Sequence, residues 1–287
     1  MPEGDTIFRA ARTLNRALVG SVVTQFETVF PRLSRVDFDE GICGRTVEHV
    51  EARGKWLLVQ FSRGPILLTH MLMSGIWHIY RPGESWRLPR SAMRVMLATE
   101  SIVAVAFNIQ IAEFHTKESL RHRAGFAGLG PSLLEDDFVP EDAAKRLLAN
   151  PDLEVGEALL KQSVVAGIGN VFKSEICFAC GVHPFRKVGS LTRRKAIDLM
   201  STAQNFLLAN VINSAGPQIV TYTGMRRTTA RGNPSERLLV YKRMGEPCRR
   251  CGAPIQSRKQ GLDARSTFWC PQCQPLRISA AGKSTVA

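Results

Sequence analysis

Gly125-Phe126-Ala127-Gly128-Leu129-Gly130-Pro131 splits the chain into two stretches whose hydrophobic patterns follow different periods. Upstream, short β-rich runs recur at Ser21 to Phe26, Thr46 to Ala52, Trp56 to Phe61, Ile66 to Met71, Met93 to Thr99 and Ile102 to Phe107. Turn formers such as Arg63-Gly64-Pro65 and Arg81-Pro82-Gly83 punctuate them, which predicts a sandwich or barrel. One helix precedes the strands: Ile7, Ala10, Ala11, Leu14, Ala17 and Leu18 share a face, Arg9, Arg12 and Arg16 fall elsewhere, and Gly20 ends it. Downstream of the glycines, 140–149, 154–163, 170–180, 192–212 and 215–220 read as helices, several with acids or Thr near the start and Gly, Asn or Pro near the end. The fold class expected is therefore α+β and multi-domain, an N-terminal helix plus β-sandwich followed by a helical domain, with a cysteine module behind it.

That module is the firmest feature of the second half. Cys248-Arg249-Arg250-Cys251 and Cys270-Pro271-Gln272-Cys273 are separated by 18 residues, the spacing of a ribbon whose two knuckles give four thiolates to one Zn²⁺. Four cysteines close the coordination shell, so the metal expected is structural. Cys177-Phe178-Ala179-Cys180 repeats the short spacing inside a helix but has no second pair, and reads as core thiols. Cys43 has no visible role, and the six histidines are scattered without a ligand pair on one helical face.

Charge narrows the partner. The formal net charge is +13, and from 215 to 287 there are 13 Lys/Arg against 3 Asp/Glu, a net +10. A polyanion is the partner this favours. A run of Gly, Arg, Thr and Pro from Thr221 to Glu236 predicts a mobile basic loop ahead of the cysteines. No apolar run approaches the ~18 residues that span a bilayer, and Met1-Pro2-Glu3 lacks the basic start of a secretory signal. A cytoplasmic location is expected.

Two short segments carry chemistry. Removing Met1 from Met1-Pro2-Glu3-Gly4-Asp5-Thr6 leaves Pro2 as a secondary amine beside a carboxylate. An α-amino group titrates near ~8, against about 10.4 for lysine, so a useful fraction is nucleophilic at neutral pH. The iminium formed from proline has no N–H proton to lose and works as an electron sink. The same residues also suit the first turn of a helix. In Gln162-Ser163-Val164-Val165-Ala166-Gly167-Ile168-Gly169-Asn170 a glycine turn joins two helical segments. It can face a phosphate with Gly169 and Asn170, or simply let two helices pack closely.

Met1-Pro2-Glu3-Gly4, Arg53-Gly54-Lys55-Trp56-Leu57-Leu58, Val165-Ala166-Gly167-Ile168-Gly169-Asn170-Val171 and Gly245-Glu246-Pro247-Cys248 occur in order along the chain. Together they resemble the formamidopyrimidine-DNA glycosylase and endonuclease VIII family of base-excision repair enzymes, over nearly all of the first 275 residues. The resemblance implies a helix-two-turn-helix domain and a zinc ribbon. It gives limits of 1–124 for a catalytic β-sandwich, 125–131 for a hinge, 132–236 for the helix-two-turn-helix domain, 237–275 for the ribbon and 276–287 for a disordered tail. Pro2 would be the Schiff-base nucleophile at C1′ of the damaged nucleotide, and Glu3 a proton donor or shuttle. Lys55, Asn170 and the ribbon's Arg265 would hold backbone phosphates, with Lys55 and Arg265 counted among the catalytic groups. Leu72 and Met73, in His70-Met71-Leu72-Met73-Ser74-Gly75-Ile76-Trp77, occupy the gap-filling position; their alternative is strand core.

Departures bear on substrate. The purine-directed branch carries an Arg-Phe-Gly segment where this chain reads Phe107-Asn108-Ile109-Gln110-Ile111-Ala112-Glu113-Phe114, without arginine. Gly4-Asp5-Thr6 and Gly75-Ile76-Trp77 lean to the endonuclease VIII branch, Met73-Ser74-Gly75 to the other, and Asp5-Thr6 replaces a Pro-Glu pair. The expectation is a monomeric glycosylase and abasic-site lyase acting on damaged DNA, chiefly at oxidised pyrimidines, by β,δ-elimination. A zinc-ribbon DNA-binding protein without catalysis would account equally for the charge, the cysteines and the glycine turn, and would not need a free Pro2. An RNA-processing or translation-associated protein is a second alternative, separated by preference for RNA over lesion-bearing duplex.

Overall fold

The computed structural model describes residues 2–212, 228 and 237–276; the expected helix at 215–220, most of the basic loop and the tail from 277 lie outside them. The described chain falls into two compact units, 2–134 with 207–212, and 135–206 with 228 and 237–276.

The first unit opens with α1 (Gly4–Leu18), whose Ile7, Ala10, Ala11, Leu14 and Leu18 are buried, as the periodicity requires. Gly20 follows at φ +82°, a conformation that costs glycine nothing. Two antiparallel four-stranded sheets stack behind it. One has the order β1 (Gln25–Thr28), β6 (Met93–Ala98), β7 (Val103–Phe107), β5 (Ile76–Tyr80), the other β2 (Val47–Arg53), β3 (Trp56–Phe61), β4 (Ile66–His70), β8 (Ile111–His115). Val50, Leu57, Val59, Phe61, Leu67, Trp77, Val95 and Leu97 meet in the main core with the buried face of α1.

Both sheets also bury outer faces. Trp56, Leu58, Ile66 and Leu68 pack under Leu120 and Phe126, and Tyr80, Met96, Val105 and Phe107 under Trp86 and Leu88. Hence Trp-Leu-Leu-Val-Gln-Phe in β3 reads as a near-continuous apolar run. Phe126 of the glycine-rich stretch belongs to that packing, and the division between units falls at 134/135.

Four elements had no sequence expectation. They are α2 (Pro31–Glu40), the strands β5 and β8, and α3 (Lys117–His122) with its Thr116/Ser119 capping box. The run expected at Ser21 to Phe26 becomes a strand only from Gln25. Before it the chain lies along Arg45 and Thr46, with one isolated bridge, Val22 to Thr46.

The second unit holds α4 (Pro140–Leu148), α5 (Val155–Leu160), α6 (Asn170–Ala179), the start of α7 (Arg193–Ile212) and a hairpin of β9 (Gln256–Gln260) and β10 (Arg265–Trp269). Ala196, Leu199, Met200 and Ala203 are buried along α7 at helical spacing. Phe178 of α6 packs with Val240, Ile255 and Phe268 beside the cysteines.

Candidate functional site

In the first unit two bonds set the direction of α1 against β2. Gly20 N donates to Val47 O (2.9 Å) and Val50 N to Asn15 Oδ1 (2.8 Å), so helix and strand run antiparallel. From Asn15 back to Gly4 the helix covers about 16 Å at 1.5 Å per residue. From Val50 on to Lys55 the strand covers about the same at ~3.3 Å per residue. The start of α1 and the Gly54-Lys55 turn therefore arrive at one end of the sandwich.

Glu3 is the N-cap of α1 and wholly buried; its carbonyl accepts from Thr6 N (2.9 Å) and Ile7 N (3.1 Å), and Pro2 just before it is half-buried. Asp5 and Thr6 are buried beside it, with Thr6 Oγ1 3.3 Å from Asp5 Oδ1 and Arg9 Nη2 3.9 Å from Asp5 Oδ2. Lys55 occupies the two-residue turn closed by the Arg53–Trp56 pair, with Gly54 at φ +58°.

The same end carries two more connections. Trp56 pairs with His70 and His70 with Ile111, so the chain from Met71 to Gly75 and that from Asn108 to Gln110 leave the sheet side by side. They touch: a Cβ on Gly75 would stand 2.6 Å from Met71 O and 2.8 Å from Ile109 Cγ2, so only glycine fits. Leu72 sits at φ +46° and is half-buried, while Met73 is 64% exposed at the tip. An exposed methionine on a turn is not strand core.

His70 is the functional candidate that sequence reasoning missed. Its Nδ1 accepts from Leu72 N (3.0 Å) and its ring meets Trp56 edge-on at 4.6 Å. Burial, and then the charges of Lys55 and Arg123, lower its pKa from 6.5 to about 4, so it is a neutral brace between the lysine turn and the methionine turn. Arg123 stacks on Trp56 at 4.3 Å and forks onto Glu113, with both N–O distances 2.9 Å. A cavity of about 450 Å³ lined by Arg63, Pro65, Phe114 and His115 lies at the β3–β4 turn, the opposite end from Lys55.

In the second unit Gln162 ties the glycine turn. Its Nε2 donates to Leu160 O and Ile168 O, and its Oε1 accepts from Gly167 N, where φ is +112°. Gly169 is the N-cap of α6 and Asn170 its first residue, with Asn170 Nδ2 donating to Ser266 O (2.9 Å). Arg265 starts β10, 43% exposed, with Nη2 3.7 Å from Asp263 Oδ2.

Glu175, five residues into α6, was also missed. It is fully buried, and its carboxylate accepts from Leu239 N (2.7 Å), Val240 N (2.9 Å), Tyr241 N (2.8 Å) and the Thr228 hydroxyl. Burial pushes its pKa up while these donors pull it down. One signal was available: Lys173, Ser174 and Glu175 put three polar residues in a row inside an otherwise apolar helical segment from Val171 to Phe178.

The four ribbon cysteines bring their sulfurs within 4.8 Å of one another, with Cys248–Cys273 at 3.9 Å and Cys251–Cys270 at 3.4 Å. Thiolates about 2.3 Å from one tetrahedral zinc stand about 3.8 Å apart, so the set fits a single closed site. Cys248, Cys251, Cys270 and Cys273 hold one structural zinc. Cys177 and Cys180 lie elsewhere on α6; burial raises the pKa of both, and Cys180 Sγ contacts Thr202 Oγ1 at 3.3 Å, the setting of core thiols.

A sandwich with an N-terminal helix, a helical unit with a tied glycine turn, and a four-cysteine hairpin define a modular nucleic-acid-binding protein. Residues 1–110 match the formamidopyrimidine-DNA glycosylase N-terminal domain, 129–221 its H2TH domain and 245–276 the zinc finger found in FPG and IleRS. Over 277 residues the chain is 39% identical to a protein of Streptomyces coelicolor named probable endonuclease 8 2, covering 96% of this chain and 94% of that one. Over 274 residues it is 35% identical to the DNA-(apurinic or apyrimidinic site) lyase Nei2 of Mycolicibacterium smegmatis, covering 96% and 99%. Among solved structures, Lactococcus lactis Fpg in complex with abasic-site DNA superposes with a TM-score of 0.79 at 21% identity, over 95% of this chain and 99% of that one. The chain belongs to the formamidopyrimidine-DNA glycosylase and endonuclease VIII family.

Proposed function

We propose that this chain is a bifunctional DNA glycosylase and abasic-site lyase of base-excision repair, with Pro2 as the nucleophile. The observation that carries the reading is the convergence of Pro2, Glu3, Lys55 and Met73 at one end of the sandwich. The unprotonated amine of Pro2 attacks C1′ and the N-glycosidic bond breaks, the base leaving with the bonding electrons and taking up a proton; the amine then loses its own proton, and the C1′–O4′ bond breaks, O4′ taking up a proton, to open the sugar as an iminium. Loss of a proton from C2′ of the resulting iminium expels the 3′ phosphate, and a second elimination expels the 5′ phosphate. Glu3 moves protons at the sugar. Lys55 holds a phosphate near the reacting carbon, and Leu72 and Met73 fill the gap left by the extruded nucleotide.

In the second unit Asn170, beside Gly169 at the start of α6, and Arg265 hold phosphates of the DNA backbone. An amide nitrogen carries two hydrogens, so the bond to Ser266 leaves Asn170 able to donate a second. Zinc supplies shape to the ribbon and no chemistry. Oxidised pyrimidines are the favoured bases, supported by the missing arginine in 107–114 and by relatives named endonuclease 8. The protein acts as a monomer in the cytoplasm, on nucleoid DNA; among the described residues no helix is long and apolar enough to cross a membrane. The domain limits we assign are 1–124, 132–236 and 237–275, joined at 125–131, with a tail from 276.

Borohydride reduction of the protein with abasic-site DNA should yield a stable covalent complex. Pro2→Gly, or an uncleaved N-terminal extension, should nearly abolish it. Undiminished trapping in both would reject Pro2 as the nucleophile, and no trapping by the wild type would favour a ribbon protein that binds without catalysis.

A further inference from the structure

Lys173 is one of the largest side chains in the molecule with no exposed surface, and lysine is almost never buried without a partner. It begins a chain of hydrogen bonds that all point one way. Lys173 Nζ donates to Thr267 Oγ1 (2.7 Å), Thr267 Oγ1 donates to Gln260 Oε1 (2.8 Å), and Gln260 Nε2 donates to Glu154 Oε2 (2.9 Å) and Pro184 O (2.9 Å). A cation is thus joined to a carboxylate through two neutral side chains, each polarising the next. Thr267 has no exposed surface and Gln260 is 5% exposed, so little water competes.

The chain crosses the ribbon hairpin at the strand that bears Arg265. Successive residues of β10 are each held by α6: Ser266 O by Asn170, Thr267 Oγ1 by Lys173, and Phe268 N by Ser174 Oγ (3.3 Å). Residues two apart on a strand share a face, so the bond fixing Thr267 also fixes the direction in which Arg265 leaves the hairpin. Its base is a turn with Ala264 at φ +48°, and its neighbour Asp263 offers a competing carboxylate. Arg265 already stands 3.7 Å from that acid, so the direction set at its base decides how far it reaches past it.

We propose that Lys173 is a positioning residue for Arg265, acting through Thr267 and the hydrogen-bond chain to Glu154. This rests on the reading of Arg265 as a phosphate ligand. Lys173 is sealed from solvent and touches no DNA itself. Its effect on binding passes through the arginine.

Gly156 provides a way to break the chain from its far side. A Cβ there would stand 2.3 Å from Gln260 Oε1, so the flexible amide must swing away, releasing Thr267 as it goes. The experiment measures the affinity of the full-length, zinc-loaded protein for a duplex carrying a tetrahydrofuran abasic-site analogue, across a series of salt concentrations. The proteins compared are wild type, Lys173→Met, Gly156→Ala, Arg265→Ala and the two doubles with Arg265→Ala.

Arg265→Ala should weaken binding about tenfold and flatten the salt slope by roughly 0.9, the signature of one phosphate no longer neutralised by the protein. Lys173→Met and Gly156→Ala should each weaken binding about three- to tenfold, flatten the slope likewise, and add less than about twofold once Arg265 is alanine. If either single variant weakens binding equally in both backgrounds with an unchanged slope, the residue acts on general stability and the proposal is overturned. If both bind as wild type while Arg265→Ala is impaired, positioning fails and the phosphate reading stands. If Arg265→Ala itself binds as wild type, the phosphate reading fails and the proposal falls with it. Should Lys173→Met lose zinc or unfold, Gly156→Ala carries the test.

Discussion

The two units hold their functional side chains by opposite means. At the end of the sandwich Lys55 and Met73 ride on turns whose flanking strands are fixed by apolar packing on both faces. In the second unit Asn170 and Arg265 are placed by single polar bonds, because α6 turns buried Asn170, Lys173, Ser174 and Glu175 towards the ribbon and the strand of chain leading into it. Apolar packing specifies volume and tolerates small slips. A buried hydrogen bond specifies one atom and fails abruptly when that atom is removed.

The sharpest break of this contrast is expected at Glu175. Glu175→Ala leaves three backbone N–H groups and the Thr228 hydroxyl facing a void, and should cost the second unit about 3–5 kcal/mol in a urea melt. Leu57→Ala in the sandwich core should cost about 2–4 kcal/mol and be partly recovered by Leu57→Met, which restores volume without restoring shape. Nothing equivalent should rescue Glu175, since Glu175→Gln turns one acceptor into a donor against an N–H. Equal rescue at both positions would erase the distinction.

Acid should test the sandwich by pH as well, because two of its groups are shifted below their ordinary values. The folded pKa of His70, about 4, lies below its ordinary 6.5, so the unfolded chain takes up the proton first and stability falls as pH drops from 6.5 to 4. Glu113, lowered from 4.5 to about 2 chiefly by its hydrogen bond to Arg123, loses its contribution from 4.5 down to 2. Unfolding followed by tryptophan fluorescence across this range should flatten above pH 4.5 in His70→Asn and below it in Glu113→Gln. The smallest effect is expected at the exposed Arg35–Asp39 pair, where Arg35→Ala should shift stability by less than about 0.5 kcal/mol.

Legibility in the sequence followed the same divide. Trp56 to Phe61 is a strand as read, α4, α6 and α7 lie within one residue of expectation at each end, α1 buries the face that was read and ends before Gly20, and the cysteine spacing identified the metal site. Where apolar periodicity is the cause of the structure, it is visible. In α2 only Leu33 of ten residues is buried, so there was no stripe to find. The brace at His70 depends on cross-strand register, and the bonds of Lys173 and Glu175 join residues 94 and 64 to 66 positions apart. Side chains that act through distant partners leave almost no local pattern, which is why only the polar run 173–175 in α6 hinted at Lys173 and Glu175.

Strand order has one more consequence, for the moment of synthesis. Gln25 pairs with Ala98, Ile76 with Phe107 and Ile66 with His115, so one sheet cannot close before Phe107 has left the ribosome and the other before His115. At about 5–20 residues per second, the segment that becomes α1 waits several seconds before both sheets behind it are complete. During that interval the terminus is open to processing enzymes. Protease protection of stalled chains should therefore appear in one step, beyond the length that frees His115 from the exit tunnel, rather than strand by strand.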